Sequence, residues 1–269
     1  MSLLDQMAEG SRDRVRAALR AETVQAIRAR ALATDAPVGL VLTDFDLIAE
    51  CKLRAPSSGR LGAESMGPED IAERARSYGE AGAAAVSVLT EPLRFDGHLD
   101  HMKAAAGLAR VPVMRKDFLV SPIQIYEARA GGAGGVLLIT RMLDDAALEA
   151  MLDGAEEMDL FALVECFDAE DAKRTAQAIS GRSGQLLVGV NTRDLRTLEV
   201  VPTRLAQMVA DLPPGVPWVA ESGMATSEDV GAAAALGYRL ALVGTALMRA
   251  PDPGVLVRQM KEAGRAACG

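Results

Sequence analysis

From residue 47 onward, short apolar runs alternate with longer segments rich in Ala, Glu and Arg. Apolar runs of this length, bounded by turn residues, read as buried strands; the longer segments between them read as helices that pack on those strands. Strands are predicted near 47–52, 84–89, 111–116, 135–140, 161–166, 186–191, 218–222 and 240–244. Helices are predicted near 67–82, 99–109, 121–130, 144–157, 169–179, 202–211, 227–236 and 252–266, several opening on good N-terminal signals such as Ser121-Pro122, Ser227-Glu228-Asp229 and Pro253. Eight βα units in an unbroken series predict a closed (β/α)8 barrel of the TIM type, not an open doubly wound sheet. The run Gly131-Gly132-Ala133-Gly134-Gly135 precedes the fourth strand, the wrong side for a dinucleotide-binding turn, and reads as a tight helix-to-strand connection. Residues 1–46 fall outside the repeat and are expected to form an N-terminal helical extension, a short piece at 2–8 followed by an amphipathic helix at 11–33. The extension either covers a barrel mouth or forms a dimer face. With the barrel at 47–269, the whole is expected to be one domain.

Composition narrows the partners. The chain has 269 residues, 49% hydrophobic and 25% charged, enough to bury a sizeable core. A net charge of -8 argues against nucleic acid or an anionic membrane as the main partner, since either favours a basic surface. Cys51, Cys166 and Cys268 are odd in number and lack zinc-site spacing, so the first two read as small core residues in a reduced compartment. Asp5 stands where a signal peptide needs a basic segment, and no stretch approaches a membrane span, so a soluble, cytoplasmic protein is expected.

The charged residues are concentrated where such a barrel keeps its chemistry. In this fold the C-terminal strand ends build the active site. Those ends carry Glu50 and Lys52 on strand 1, Lys116 on strand 3 and Glu165 on strand 5. Strand 6 adds Asn191, with Arg193 just beyond it, and strand 7 adds Glu221 and Ser222. Glu50 and Lys52, two apart, point to the same side of their strand. Buried charges of this kind must pair or meet a ligand. Two ammonium groups among carboxylates suit general acid–base work on an anionic substrate, with the crowded lysines expected to depress one another's pKa. Such lysines can also form Schiff bases, which keeps an aldolase open as a rival. Glycine-bearing turns at Ser222-Gly223 and Gly244-Thr245 follow the last two strands, where this fold binds phosphate, so a phosphorylated small molecule is the expected substrate.

These motifs, taken together, resemble the indole-3-glycerol-phosphate synthase family. The likeness rests on Glu50-Cys51-Lys52 with Pro56-Ser57-Ser58-Gly59, Ser87-Val88-Leu89-Thr90-Glu91 with Phe95-Asp96-Gly97, and Arg115-Lys116-Asp117-Phe118. It continues through Leu163-Val164-Glu165, Gly189-Val190-Asn191-Thr192-Arg193-Asp194-Leu195, Glu221-Ser222-Gly223 and Leu242-Val243-Gly244. The resemblance implies ring closure of 1-(2-carboxyphenylamino)-1-deoxyribulose 5-phosphate with loss of carbon dioxide and then water, in tryptophan biosynthesis, with no cofactor and no metal. It implies Lys116 as the general acid at the ribulose carbonyl and Glu165 as the stabiliser of the cationic intermediate. Lys52 and Glu50 would serve the dehydration, and Asn191 and Glu221 would orient the sugar hydroxyls and catalytic groups. Arg193 would face the anthranilate carboxylate, and Ser222, Gly223, Gly244 and Thr245 would hold the phosphate. Phe95, Phe118 and one of Leu137 or Leu138, with Leu138 preferred, would form the pocket for the aromatic ring.

Ala55, His98 and Gly134 depart from the family pattern of Ser, Ser and Asp. They leave every implied catalytic position occupied, and they raise the alternative of a specialised paralogue acting on a substituted anthranilate derivative. The expected state is a monomer or weak homodimer.

Overall fold

The protein is described here from a computed structural model covering residues 3–63, 65–195 and 197–268. Eight parallel strands close into a barrel: β1 (Asp46–Cys51), β2 (Ala85–Leu89), β3 (Val113–Lys116), β4 (Gly135–Ile139), β5 (Phe161–Cys166), β6 (Leu186–Asn191), β7 (Trp218–Glu221) and β8 (Leu240–Val243). Each strand pairs with its sequence neighbours, and β1 pairs with β8 in the register Asp46↔Leu240 to Ala49↔Val243, which completes the ring. The (β/α)8 architecture expected from the periodicity is the one observed.

Alternation along each strand divides the core in two. Ile48, Met114, Leu137, Leu163, Leu187 and Val219 point inward and fill the barrel. Their neighbours Ala49, Val113, Leu138, Val164, Val188 and Ala220 point outward, against a helix layer that contributes Ile71, Leu148, Val230 and Val257. Each Val, Leu, Ile or Met among them contributes about 1.5–3 kcal/mol when fully buried. Cys51 and Cys166 lie in the outer layer as core residues. Gly131 caps the helix Pro122–Ala130, Gly132 takes a left-handed φ of 82°, and β4 starts at Gly135, so the glycine run is the expected tight connection.

The N-terminal extension differs from its expected form. One helix, α1 (Leu3–Ala21), runs through the break expected near residues 8–11, and the break falls instead before α2 (Val24–Leu32); Ser2, the expected start, lies outside the described residues. Thr23 sets the boundary: its hydroxyl accepts the Ala26 N–H at 3.2 Å, a capping signal that ends one helix and starts the next. Of the two roles left open for the extension, α1 takes the first and covers the C-terminal mouth. Met7 packs with Phe118 and Leu137, Ser11 accepts from Gln124, and Arg14 reaches Asp117 at 2.6 Å. The chain then passes beneath the opposite end, where Leu40 joins the interior cluster and its carbonyl accepts from Gln185.

Candidate active site

The strand ends under α1 enclose a cavity of about 450 Å³. Glu50, Lys52, Lys116, Glu165, Asn191, Arg193 and Glu221 all line it. So the polar residues singled out on five separate strands converge on one space.

The charges are arranged as two groups. Lys52 forms an ion pair with Glu50, whose carboxylate is almost wholly buried. Across the mouth, the Lys116 ammonium lies 3.4 Å from Glu165 and 3.3 Å from Glu221. The expected depression of the lysines by one another does not occur at Lys116. Burial opposes its charge, but the carboxylates of Glu165, Glu221 and Glu50 outweigh that and hold its pKa above the ordinary lysine value. The strand pattern could place the lysines on one mouth but not show that carboxylates, not the other lysine, would be the nearest charges. Glu221 moves the other way from a salt-bridged acid: burial first, then the charge of Glu165, push its pKa well above the usual carboxylate range, against the pull of Lys116.

Asn191 is held by the backbone two residues on, its amide oxygen accepting the Arg193 N–H at 2.9 Å. The Arg193 guanidinium donates to the Leu198 carbonyl at 2.7 Å and lines the cavity wall; burial lowers its pKa and the charge of Glu50 offsets part of that. Ser222, Gly223, Gly244 and Thr245 form one arc of the wall, joined by Arg249, which the sequence reading missed. Ser222 and Gly223 both have left-handed backbone, φ 64° and 73°, which turns the chain sharply after β7.

On the apolar side Phe95 and Phe118 lie 6.0 Å apart between ring centroids and both face the cavity. Leu138 does not join them. It points outward into the helix layer, and Leu137 is the residue that lines the cavity, because side chains alternate along β4. Ile139 and Leu242 also face inward and were missed, although the same alternation two residues on from Leu137 would have found Ile139. Leu3, which closes the cavity from α1, has no sequence signal of its own.

Of the three departures, only Ala55 borders the cavity. His98 is exposed and caps the following helix, its Nδ1 accepting the Asp100 N–H. Gly134 packs at the far end of the barrel against the Val38 carbonyl and Pro112.

The indole-3-glycerol phosphate synthase family model matches residues 6–260. The chain belongs to the indole-3-glycerol phosphate synthase family. It is 40% identical over 267 residues to the indole-3-glycerol phosphate synthase of Mycolicibacterium smegmatis, covering 98% of this chain and 95% of that one. The corresponding enzyme of Mycolicibacterium vanbaalenii is 39% identical over the same length, with the same coverage. Among solved structures, 3-hexulose-6-phosphate synthase from Salmonella typhimurium superposes with a TM-score of 0.64 over 83% of this chain and all of that one, at 14% identity, a likeness of fold alone. Membership of the indole-3-glycerol phosphate synthase family makes the chain an enzyme, a carboxy-lyase of tryptophan biosynthesis. Nothing favours the alternative of a substituted substrate in secondary metabolism. No helix among the described residues is long and apolar enough to cross a membrane.

Proposed function

We propose that the cavity under α1 is where 1-(2-carboxyphenylamino)-1-deoxyribulose 5-phosphate closes to indole-3-glycerol phosphate, with Lys116 as the general acid. The observation that carries this reading is the Lys116 ammonium held between Glu165 and Glu221 beside the Phe95–Phe118 pocket. Ring closure forms a bond between the aromatic carbon bearing the carboxylate and the ribulose carbonyl carbon. The carbonyl oxygen gains negative charge as that bond forms, and a lysine kept protonated by its neighbours is suited to donate a proton there. The aromatic ring becomes cationic at the same time, and Glu165, two strands along the ring from Lys116 and 3.4 Å from its ammonium, offsets that charge. Loss of carbon dioxide then restores the electron pair to the ring.

Dehydration follows, in which the former carbonyl oxygen leaves as water while the adjacent carbon gives up a proton. The Glu50–Lys52 pair supplies one acid and one base for that step. Asn191 and Glu221 orient the sugar hydroxyls and the catalytic groups. Arg193 takes the substrate carboxylate until it is lost, where a planar fork of donors is the suitable partner. Ser222, Gly223, Gly244 and Thr245 take the phosphate. Phe95, Phe118 and Leu137 receive the aromatic ring, and Ala55 leaves one hydroxyl fewer at the edge of the site. The reading keeps the expectation of a monomer or weak homodimer acting in the cytoplasm.

The test is indole fluorescence on mixing the protein with 1-(2-carboxyphenylamino)-1-deoxyribulose 5-phosphate, beside Lys116→Ala. Turnover by the wild type, reduced about 10²–10⁴-fold by the substitution, is the expected result. Turnover by Lys116→Ala within a few-fold of wild type would overturn the assignment of the acid.

A further inference from the structure

Two glycines, Gly244 on the cavity wall and Gly189 inside the barrel, lie against carboxylates of the site, and at Gly189 no turn calls for glycine. Gly189 is the inward-facing position of β6 between Leu187 and Asn191. A glycine inside a strand gives up packing and chain entropy, and often marks a place where another group approaches the backbone closely. Its φ is not left-handed, so no turn requires it.

What approaches is Glu221. A Cβ built on Gly189 would overlap Oε1 of Glu221 and stand 3.0 Å from its carboxyl carbon. The Glu221 side chain thus lies down across the neighbouring strand. In that posture Oε2 reaches Lys116 at 3.3 Å, while Oε1 is buried and has no hydrogen-bond donor among the described residues. On its other side Gly189 is the register partner of Glu165, the second carboxylate on Lys116. The glycine therefore sits between the two groups that hold the ammonium. Gly244 repeats the device, since a Cβ there would meet the Glu50 carboxylate and come within 2.8 Å of Lys52 Nζ.

We propose that Gly189 is a positioning residue of the reaction: the space left by its missing side chain seats the Glu221 carboxylate and so fixes how Lys116 is shared between Glu165 and Glu221. This rests on Lys116 being the general acid. A methyl group in that space would push the Glu221 carboxylate out of reach of Lys116 or toward the substrate. A displacement of about 1 Å at a catalytic group costs on the order of 10²-fold in rate.

The test is a double-mutant cycle of wild type, Gly189→Ala, Glu221→Asp and Gly189→Ala/Glu221→Asp, with kcat and KM from the indole assay and midpoints of thermal unfolding for all four. Aspartate is one methylene shorter and withdraws from the niche. Gly189→Ala is expected to lower kcat about 10²-fold with KM changed less than about threefold. In the Glu221→Asp background the same substitution is expected to change kcat by less than about threefold and to cost less in melting temperature. Equal losses in both backgrounds, or kcat of Gly189→Ala within about twofold of wild type, would overturn the proposal. If Gly189→Ala alone does not fold, a folded double variant with the turnover of Glu221→Asp supports it. An unfolded double variant overturns it, because the obstruction is then Leu163, whose Cδ1 lies 3.1 Å from the added Cβ. The melting cycle reads the clash whether or not Lys116 is the acid, so loss of that assignment and loss of this proposal give different patterns.

Discussion

Replacing Arg14 by alanine probes whether α1 belongs to the working barrel or is merely attached to it. Arg14 donates to Oδ1 of Asp117 at 2.6 Å; its own side chain is 27% exposed and that of Asp117 is fully buried. Asp117 is also bound by the Thr90 hydroxyl at 2.7 Å, the Phe118 N–H at 2.8 Å and Arg115 at 3.4 Å. Breaking a fully buried ion pair costs about 3–5 kcal/mol because a bare charge is left behind. Here Asp117 keeps three partners and Arg14 is partly solvated, so the loss is that of one charge-assisted hydrogen bond, about 2 kcal/mol. For a chain of this size that lowers the melting temperature by about 3–4 °C. Asp117 stands between Lys116 and Phe118 in sequence and holds the Phe118 backbone, so kcat/KM is expected to fall several-fold as well. The assay is thermal unfolding followed by circular dichroism beside the indole assay, with Arg14→Lys as the variant that keeps the charge but not the fork and restores only part of the loss. Unfolding should remain one transition. A melting temperature within about 1 °C of wild type, or an early separate transition that leaves the barrel's own midpoint unmoved, would refute the reasoning.

The two leucines of β4 should behave oppositely. Leu137→Ala opens the cavity wall and is expected to raise KM about five- to thirty-fold, from about 1–2 kcal/mol of lost apolar contact with the substrate ring. Leu138→Ala leaves KM unchanged and costs about 2–5 kcal/mol of stability in urea, since it empties the helix-facing layer; the reverse pattern would place Leu138 in the site after all. The thiols offer a check on burial. Burial pushes Cys51 and Cys166 up to about 12, so at pH 8 only about 10⁻⁴ of each is thiolate, whereas Cys268 is half-buried near the C-terminus. Ellman's reagent should therefore modify one thiol per native chain and three in denaturant, and a second rapid thiol in the native protein would contradict the packing of β1 or β5.

The barrel was legible because buried parallel strands are written as short apolar runs with sharp ends. The bounds expected for Phe161–Cys166 and Leu186–Asn191 are those observed, and the other strands shift by one or two residues at their termini. The site residues were legible for a related reason: charge at the end of an apolar strand is conspicuous. What escaped was whatever depends on orientation within an all-apolar stretch or on contacts across the fold. Gly135-Val136-Leu137-Leu138-Ile139 is apolar on both faces, so its sequence does not say which leucine faces the cavity. The break between α1 and α2 is marked by a single capping hydroxyl at Thr23, inside a stretch whose amphipathic period runs on across it. The ribbon of Arg54–Ala55 with Gly59–Arg60 has too few residues to carry any period at all.

The closure of the barrel by its first and last strands also sets when in the chain's synthesis this chemistry becomes possible. Glu50 and Lys52 lie against Gly244, and β1 is completed only by pairing with β8. A nascent chain with seven strands outside the ribosome has made almost all of its local contacts, yet Glu50 still lacks the wall that holds it. The Glu50–Lys52 pair thus gains its last wall only once β8 has emerged, in one long-range step that joins β1 to β8.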